Sequence, residues 1–229
     1  MYLNDLPKPI QAFLDATQRR DSAALLAAFA DDAVLVDMGK EHRGAEIRRW
    51  NDELYLGSNV CVHPIHAEER GDDLVLAVAV DGDYKSYGVT EPFQLDCHFG
   101  LRDGRVARLR MVEQKLDLPK PVLHFVQALN MFDLAGAAAT FARDAHVNDQ
   151  QRDHWGGPAI REWLAREIIG DHVTMYVTES RKHTDGRCFV VAKVTGTYDK
   201  TGLPDPLTLR FYFSATGDLL TQLIIIPSQ

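Results

Sequence analysis

The chain has 229 residues, 45% apolar and 25% charged, a composition that supports a packed core and excludes disordered, collagen-like and disulfide-framework classes. Its 25 basic and 33 acidic residues give a net charge of −8, carried mainly by residues 1–117 (14 basic, 21 acidic), so neither nucleic acid nor an anionic membrane is expected as a partner. No apolar run approaches the ~20 residues of a membrane span, and Met1 to Gln11 has neither a basic end nor an apolar stretch. With three cysteines, Cys61, Cys97 and Cys188, and no CxxC pair, the chain reads as a cytoplasmic protein with core thiols and no structural metal.

Pro9 sits at a helix start, and Ile10, Phe13, Leu14 and Thr17 follow at helical spacing. Asp21-Ser22 is expected to cap a second helix from Ala23 to Phe29, presenting Leu25, Leu26 and Phe29. Gly44 precedes a third, Ala45 to Tyr55, with Ile47, Trp50 and Leu54 three and four apart. The period then changes to two. Val60 to Glu68, Leu74 to Asp83, Phe93 to Leu101 and Val106 to Glu113 read as strands, separated by Gly71-Asp72-Asp73, a Gly88-to-Pro92 loop and Asp103-Gly104. Helices ahead of an antiparallel sheet predict an α+β fold.

The whole pattern occurs twice. Leu6-Pro7-Lys8-Pro9 recurs as Leu118-Pro119-Lys120-Pro121, an offset of 112 that also matches Phe13 with Phe125 and Asp37 with Asp149. One inserted residue later, Gly44, Ile47, Arg48 and Trp50 meet Gly157, Ile160, Arg161 and Trp163; at an offset of 114, Gly82, Tyr84, Leu95 and Phe99 meet Gly196, Tyr198, Leu209 and Phe213. A copy of this length is of domain size, too long for a solenoid repeat, so two tandem domains are expected, 1–116 and 117–229.

This order of elements, with the stretch Phe29-Ala30-Asp31-Asp32-Ala33-Val34-Leu35-Val36-Asp37, resembles the nuclear transport factor 2-like superfamily (the cystatin-like fold) and its SnoaL-like branch. The resemblance covers both copies. It implies two cone-shaped domains, each with about three N-terminal helices on a curved antiparallel sheet that surrounds an apolar pocket. Copies in that superfamily pair through the outer faces of their sheets, so it also implies a covalent pseudo-dimer in which the two copies pack within one chain. Under that packing, Asp96 and Arg210, equivalent outward positions of opposite charge, are expected near the pseudo-twofold axis.

By the same resemblance, Asp37 stands at the end of the first strand, where the superfamily's ketosteroid isomerases hold their base, and Asp149 repeats it. A carboxylate at the mouth of an apolar pocket loses solvation when charged and is suited to taking a proton from carbon beside a carbonyl. The partners of that chemistry, a tyrosine and a protonated aspartate, are replaced by Phe13 and Phe125 and by Cys97 and Phe211. Losing an oxyanion donor typically removes ~3 kcal/mol of transition-state stabilisation, so steroid isomerisation is disfavoured.

His42, before Arg43-Gly44 near the expected pocket mouth, and His63 are candidates to assist Asp37. His63 and His66 are three apart, so strict alternation sends them to opposite faces of a strand, unable to share one ion. Trp50 and Trp163 read as core anchors or ligand-stacking rings, Tyr84 as a rim residue, and Tyr176, aligned with His63, as a position adaptable in polarity. Cys97 is expected to point into the pocket with Leu95, Phe99 and Leu101, and Phe211 with Leu209 and Phe213. No GxSxG, P-loop or GxGxxG pattern occurs, and no cofactor is expected. Two functions stay open: a cofactor-free isomerase, cyclase or lyase acting on a small apolar or carbonyl-bearing molecule, and a non-catalytic binding or interaction module. Copy one has more histidine in its sheet and more acid overall, which favours its pocket as the functional one.

Overall fold

In the computed structural model, which describes residues 3–85, 92–185, 187–204 and 206–228, the chain divides into two compact units, Met1–Lys115 and Leu116–Gln229. Each is an α+β domain, built on a single six-stranded sheet. No helix among the described residues is long and apolar enough to cross a membrane.

In the first unit, α1 (Lys8–Arg19) begins with proline in its first turn and buries Ile10, Phe13, Ala16 and Thr17, the helical stripe read from the sequence. Its last turn closes on Arg20, whose left-handed backbone satisfies the terminal carbonyls. Asp21 then caps α2 (Ser22–Ala27), its carboxylate accepting from the Ala24 amide at 2.9 Å. Helices do not all precede strands, however. β1 (Phe29–Asp37) and β2 (Lys40–Arg43) come next, turned by Met38 and Gly39, both at positive φ. The short β2 was not foreseen, because four residues with one buried side chain carry too little alternation.

α3 (Ala45–Trp50) widens into a π-helical turn over Asn51–Tyr55 before β3 (Cys61–Arg70), β4 (Asp73–Asp81), β5 (Phe93–Arg102) and β6 (Arg105–Glu113). The expected Gly88-to-Pro92 loop lies, through residue 91, outside the described residues. The strand order is β2-β1-β6-β5-β4-β3. All neighbours are antiparallel except β1 and β6, which run parallel with Asp37 opposite Met111; the last strand returns beside the first in the same direction. The sheet is therefore mixed rather than wholly antiparallel.

The second unit repeats these elements in the same order: α4 (Lys120–Asn130), α5 (Leu134–Ala139), β7 (Phe141–Asp149), β8 (Arg152–Trp155), α6 (Gly156–Trp163), a π-helical turn Leu164–Ile169, β9 (Thr174–Lys182), β10 (Arg187–Thr195), β11 (Leu207–Thr216) and β12 (Leu219–Pro227). Asp133 caps α5 as Asp21 caps α2, and β12 runs parallel to β7 with Ile225 opposite Asp149. Each unit has its own core between helices and sheet. Phe13 packs edge-on against Phe29 and Phe99 in one, and Phe125 against Phe141 and Phe213 in the other.

Candidate functional site

The end of β1 and the π-helical turn together open the first unit's core. Asp37 is the last residue of β1, and α3 brings Trp50 beside it, so that the indole Nε1–H donates to Asp37 Oδ2 at 2.9 Å. The wider π turn then places Leu54 and Tyr55 over the sheet, with the Tyr55 ring stacked on Trp50 at 4.8 Å between centroids. Across from them Tyr84 and Phe93 meet edge to face at 5.5 Å. These walls enclose a cavity of about 320 Å³, at the small end of the usual range for ligand sites.

Two carboxylates reach this cavity. Asp37 is one; the other is Glu113, which follows Leu109 and Met111 on the inward side of β6 and sits one pleat beyond the residue that pairs with Asp37. Apart from the Trp50 bond, neither side chain has a hydrogen-bond partner among the described residues. The Tyr55 hydroxyl is committed elsewhere. Thr17 Oγ1 spends its one proton on the Phe13 carbonyl (2.9 Å), so the 3.3 Å contact between Thr17 and Tyr55 is donated by the tyrosine. Burial holds that phenol un-ionised, well above the usual tyrosine range.

The second unit's cavity, about 200 Å³, has a different electrostatic character. Trp163 donates to Asp149 at 3.2 Å, repeating the Trp50 bond, but Asp149 also pairs with Arg152 at 2.7 Å, and Arg152 pairs with Glu167 at 2.6 Å. These hydrogen-bonded carboxylates hold the Arg152 guanidinium above its ordinary range. The repeat explains the divergence. Arg152 stands where copy one has Lys40, which is exposed and forms no ion pair among the described residues, and Glu167 stands where copy one has Leu54.

Of the sequence-predicted residues, Asp37, Trp50, Tyr84 and Leu95 line the first cavity, and Phe125, Asp149, Trp163, Leu209 and Phe211 the second. The rest lie elsewhere. Phe13, Cys97 and Phe99 are at most 3% exposed and belong to the packed core behind the cavity, so of the inward row on β5 only Phe93 and Leu95 reach it. Leu101, near the hairpin end of that strand, is 37% exposed rather than inside. Burial pushes the Cys97 thiol far above its ordinary range, which makes it a poor nucleophile.

The expected histidine partners are not at the cavity. His42 is buried on β2 opposite Leu35, outside the lining. His63 contacts Cys61 Sγ at 3.3 Å and lies on the outer face of β3, opposite Ala79. A bulge between Pro64 and His66 breaks the alternation, so His66 opposes Ala77 and shares the outer face with His63, against the expectation of opposite faces. Tyr176 likewise opposes Lys193 on the outer face of β9, while its neighbours Met175 and Val177 turn inward. Among the described residues no group of three or more His, Cys, Asp or Glu side chains is placed to hold a metal ion. Sequence reasoning missed Glu113, Tyr55, Arg152 and Glu167. The signal for Glu113 was present, since it continues the period-two row of Leu109 and Met111.

A family model for the SnoaL-like domain matches residues 10–109, the first unit nearly end to end. Through this domain the chain belongs to the SnoaL-like family, within the nuclear transport factor 2-like fold. Among solved structures, a proposed polyketide cyclase from Sinorhizobium meliloti is 30% identical over 49% of this chain and 100% of its own, with a TM-score of 0.44. A protein from Sphaerobacter thermophilus is 22% identical (48% and 94% covered, TM-score 0.40), and a proposed ketosteroid isomerase from Kribbella flavida is 15% identical (49% and 80% covered, TM-score 0.40). No curated protein sequence matches the chain.

Proposed function

We infer that the first unit receives a small, mainly apolar or carbonyl-bearing molecule in its cavity and that Asp37 acts on it as a proton acceptor, as in a cofactor-free isomerase, cyclase or lyase. The observation that carries this reading is the Asp37 carboxylate on an apolar cavity, oriented by one indole hydrogen bond and otherwise unpaired among the described residues. Asp149, tied to Arg152, lacks that freedom, so the second cavity has a structural role. Within the SnoaL-like family, a proposed polyketide cyclase such as the Sinorhizobium protein is consistent with chemistry of this kind.

The direction of the Tyr55 hydrogen bond favours a second reading, binding without turnover, because that hydroxyl gives its proton to Thr17 rather than to a developing oxyanion. A thermal-shift screen of wild type and Asp37→Asn against small cyclic ketones, polyketides, amines and carboxylic acids tests both. A ligand at ~100 times its dissociation constant adds about 2.7 kcal/mol of stability. A hit that weakens in Asp37→Asn places the ligand at this cavity, and turnover of that hit should then fall about 10²–10⁴-fold in the variant if Asp37 is the base. Unchanged turnover leaves binding alone; hits that are indifferent to Asp37 contradict the site.

A further inference from the structure

We propose that the molecule taken by the first unit's cavity carries a positive charge, in the form of a protonated amine on a compact apolar body. This deepens the reading of the cavity as a ligand site and rests on it. The argument starts from what the lining offers. Asp37 and Glu113 present carboxylate oxygens, and no Lys, Arg or His is among the described residues that line the cavity. Tyr55, whose proton is given to Thr17, has only its lone pairs left to offer. The Tyr84 hydroxyl can donate or accept, but two carboxylates stand against it, and the lining offers mainly acceptors; a neutral carbonyl or an anion needs donors, an ammonium group acceptors.

The aromatic walls point the same way. Trp50, Tyr55, Tyr84 and Phe93 surround the cavity, and ring faces attract cations electrostatically, most strongly where water is excluded. Ring faces alone do not replace the hydration that an ammonium ion loses on entry, but two carboxylates in a largely apolar surround supply the opposite charge that such burial requires.

The second unit is an internal comparison. There the duplicated carboxylate is already paired with a guanidinium from the chain itself, Arg152, and the position of Glu113 is held by Pro227. Copy two thus carries its own cation against Asp149, while copy one leaves Asp37 open to one from solution. Lys40, the residue aligned with Arg152, is exposed and forms no ion pair among the described residues, so it does not fill that role in copy one.

The test is calorimetric titration near neutral pH with three probes of similar shape: 2-phenylethylamine, 2-phenylethanol and 3-phenylpropanoate. The amine should bind wild type about tenfold or more tightly than the alcohol, and the acid most weakly. Glu113→Gln and Asp37→Asn, isosteric changes checked for folding by circular dichroism, should each cut the amine's advantage to about threefold or less, while Asp149→Asn leaves it intact. Equal or tighter binding of the alcohol or the acid overturns the charge proposal and keeps the cavity as a site for neutral or acidic molecules. An amine preference that survives both carboxylate variants also overturns it. Failure of all three probes to bind contradicts both the charge proposal and the ligand site.

Discussion

Trp50 Nε1 donates to Asp37 Oδ2 across 2.9 Å, and the bond recurs from Trp163 to Asp149 in the second copy, although the carboxylates then take different partners. The shared bond fixes the end of the first strand of each sheet against the helix that follows it. What differs, an added guanidinium in one copy and a second open carboxylate in the other, separates the two cavities chemically.

Trp50→Phe keeps a ring against Tyr55 but removes the only hydrogen-bond donor to Asp37 among the described residues. A hydrogen bond to a charged group contributes about 1.5–3 kcal/mol, and part exposure of Asp37 puts the expected loss near the lower end. Urea denaturation should show a lower midpoint with an unchanged slope, and any Asp37-dependent ligand should bind less tightly.

In the second unit, Arg152→Leu leaves Asp149, with its side chain 12% exposed, held among the described residues by Trp163 alone. The guanidinium is 54% exposed, so the cost is well below that of breaking a fully buried pair, about 1–2 kcal/mol. Adding Asp149→Asn should recover most of it. If the double variant is no more stable than Arg152→Leu, the ion pair is not the source of the loss.

Phe99→Ala should cost about 3–5 kcal/mol, because the ring is 1% exposed and packed against Phe13. The milder Phe99→Leu should lower stability without altering ligand affinity, since Phe99 lies behind the cavity and not on it. A selective loss of affinity in this variant, at temperatures where it remains folded, would return Phe99 to the lining.

Two histidines make the fold sensitive to acid. Burial holds His63 below its ordinary range, and burial with the Arg110 guanidinium does the same to His98, where Asp96 and Asp73 oppose and Arg70 adds to the shift. The unfolded chain therefore takes up these protons first as pH falls through about 6.5. Stability contributed by the neutral rings is present above that value and is lost below it. Replacing both by Gln should flatten the dependence of the urea midpoint between about pH 7.5 and 5.5, and an unaltered slope would assign it to other groups.

The helices and the duplication were legible because they rest on local rules: the stripe from Ile10 to Thr17, the Asp21 cap and the offset that joins Asp37 to Asp149. The place of Asp37 at the end of the first strand was legible too, but its bond with Trp50 was not, because it joins a strand end to a helix 13 residues on. The face of each strand residue was less legible. Alternation fails wherever a strand takes an extra residue, and the bulge beside Pro64 moved His66 onto the side of His63. Depth along an inward row was also hidden: Leu95, Cys97 and Phe99 share a face, yet packing against Phe13 seals all but the first from the cavity. The Arg152 pairings join residues 3 and 15 positions apart across a turn and a helix, a coupling that only the folded chain reveals.

The most direct test of the central claim uses the chain's three tryptophans, Trp50, Trp155 and Trp163. Their indole N–H groups give separate signals in a nitrogen-correlated NMR spectrum, assigned by single substitution to Phe, and titration with 2-phenylethylamine or any hit from the thermal screen reports which cavity is filled. The Trp50 signal should move on saturation, with the Trp163 signal staying in place and Asp37→Asn weakening the response. Movement of Trp163 with Trp50 unaffected would contradict the assignment of function to the first cavity.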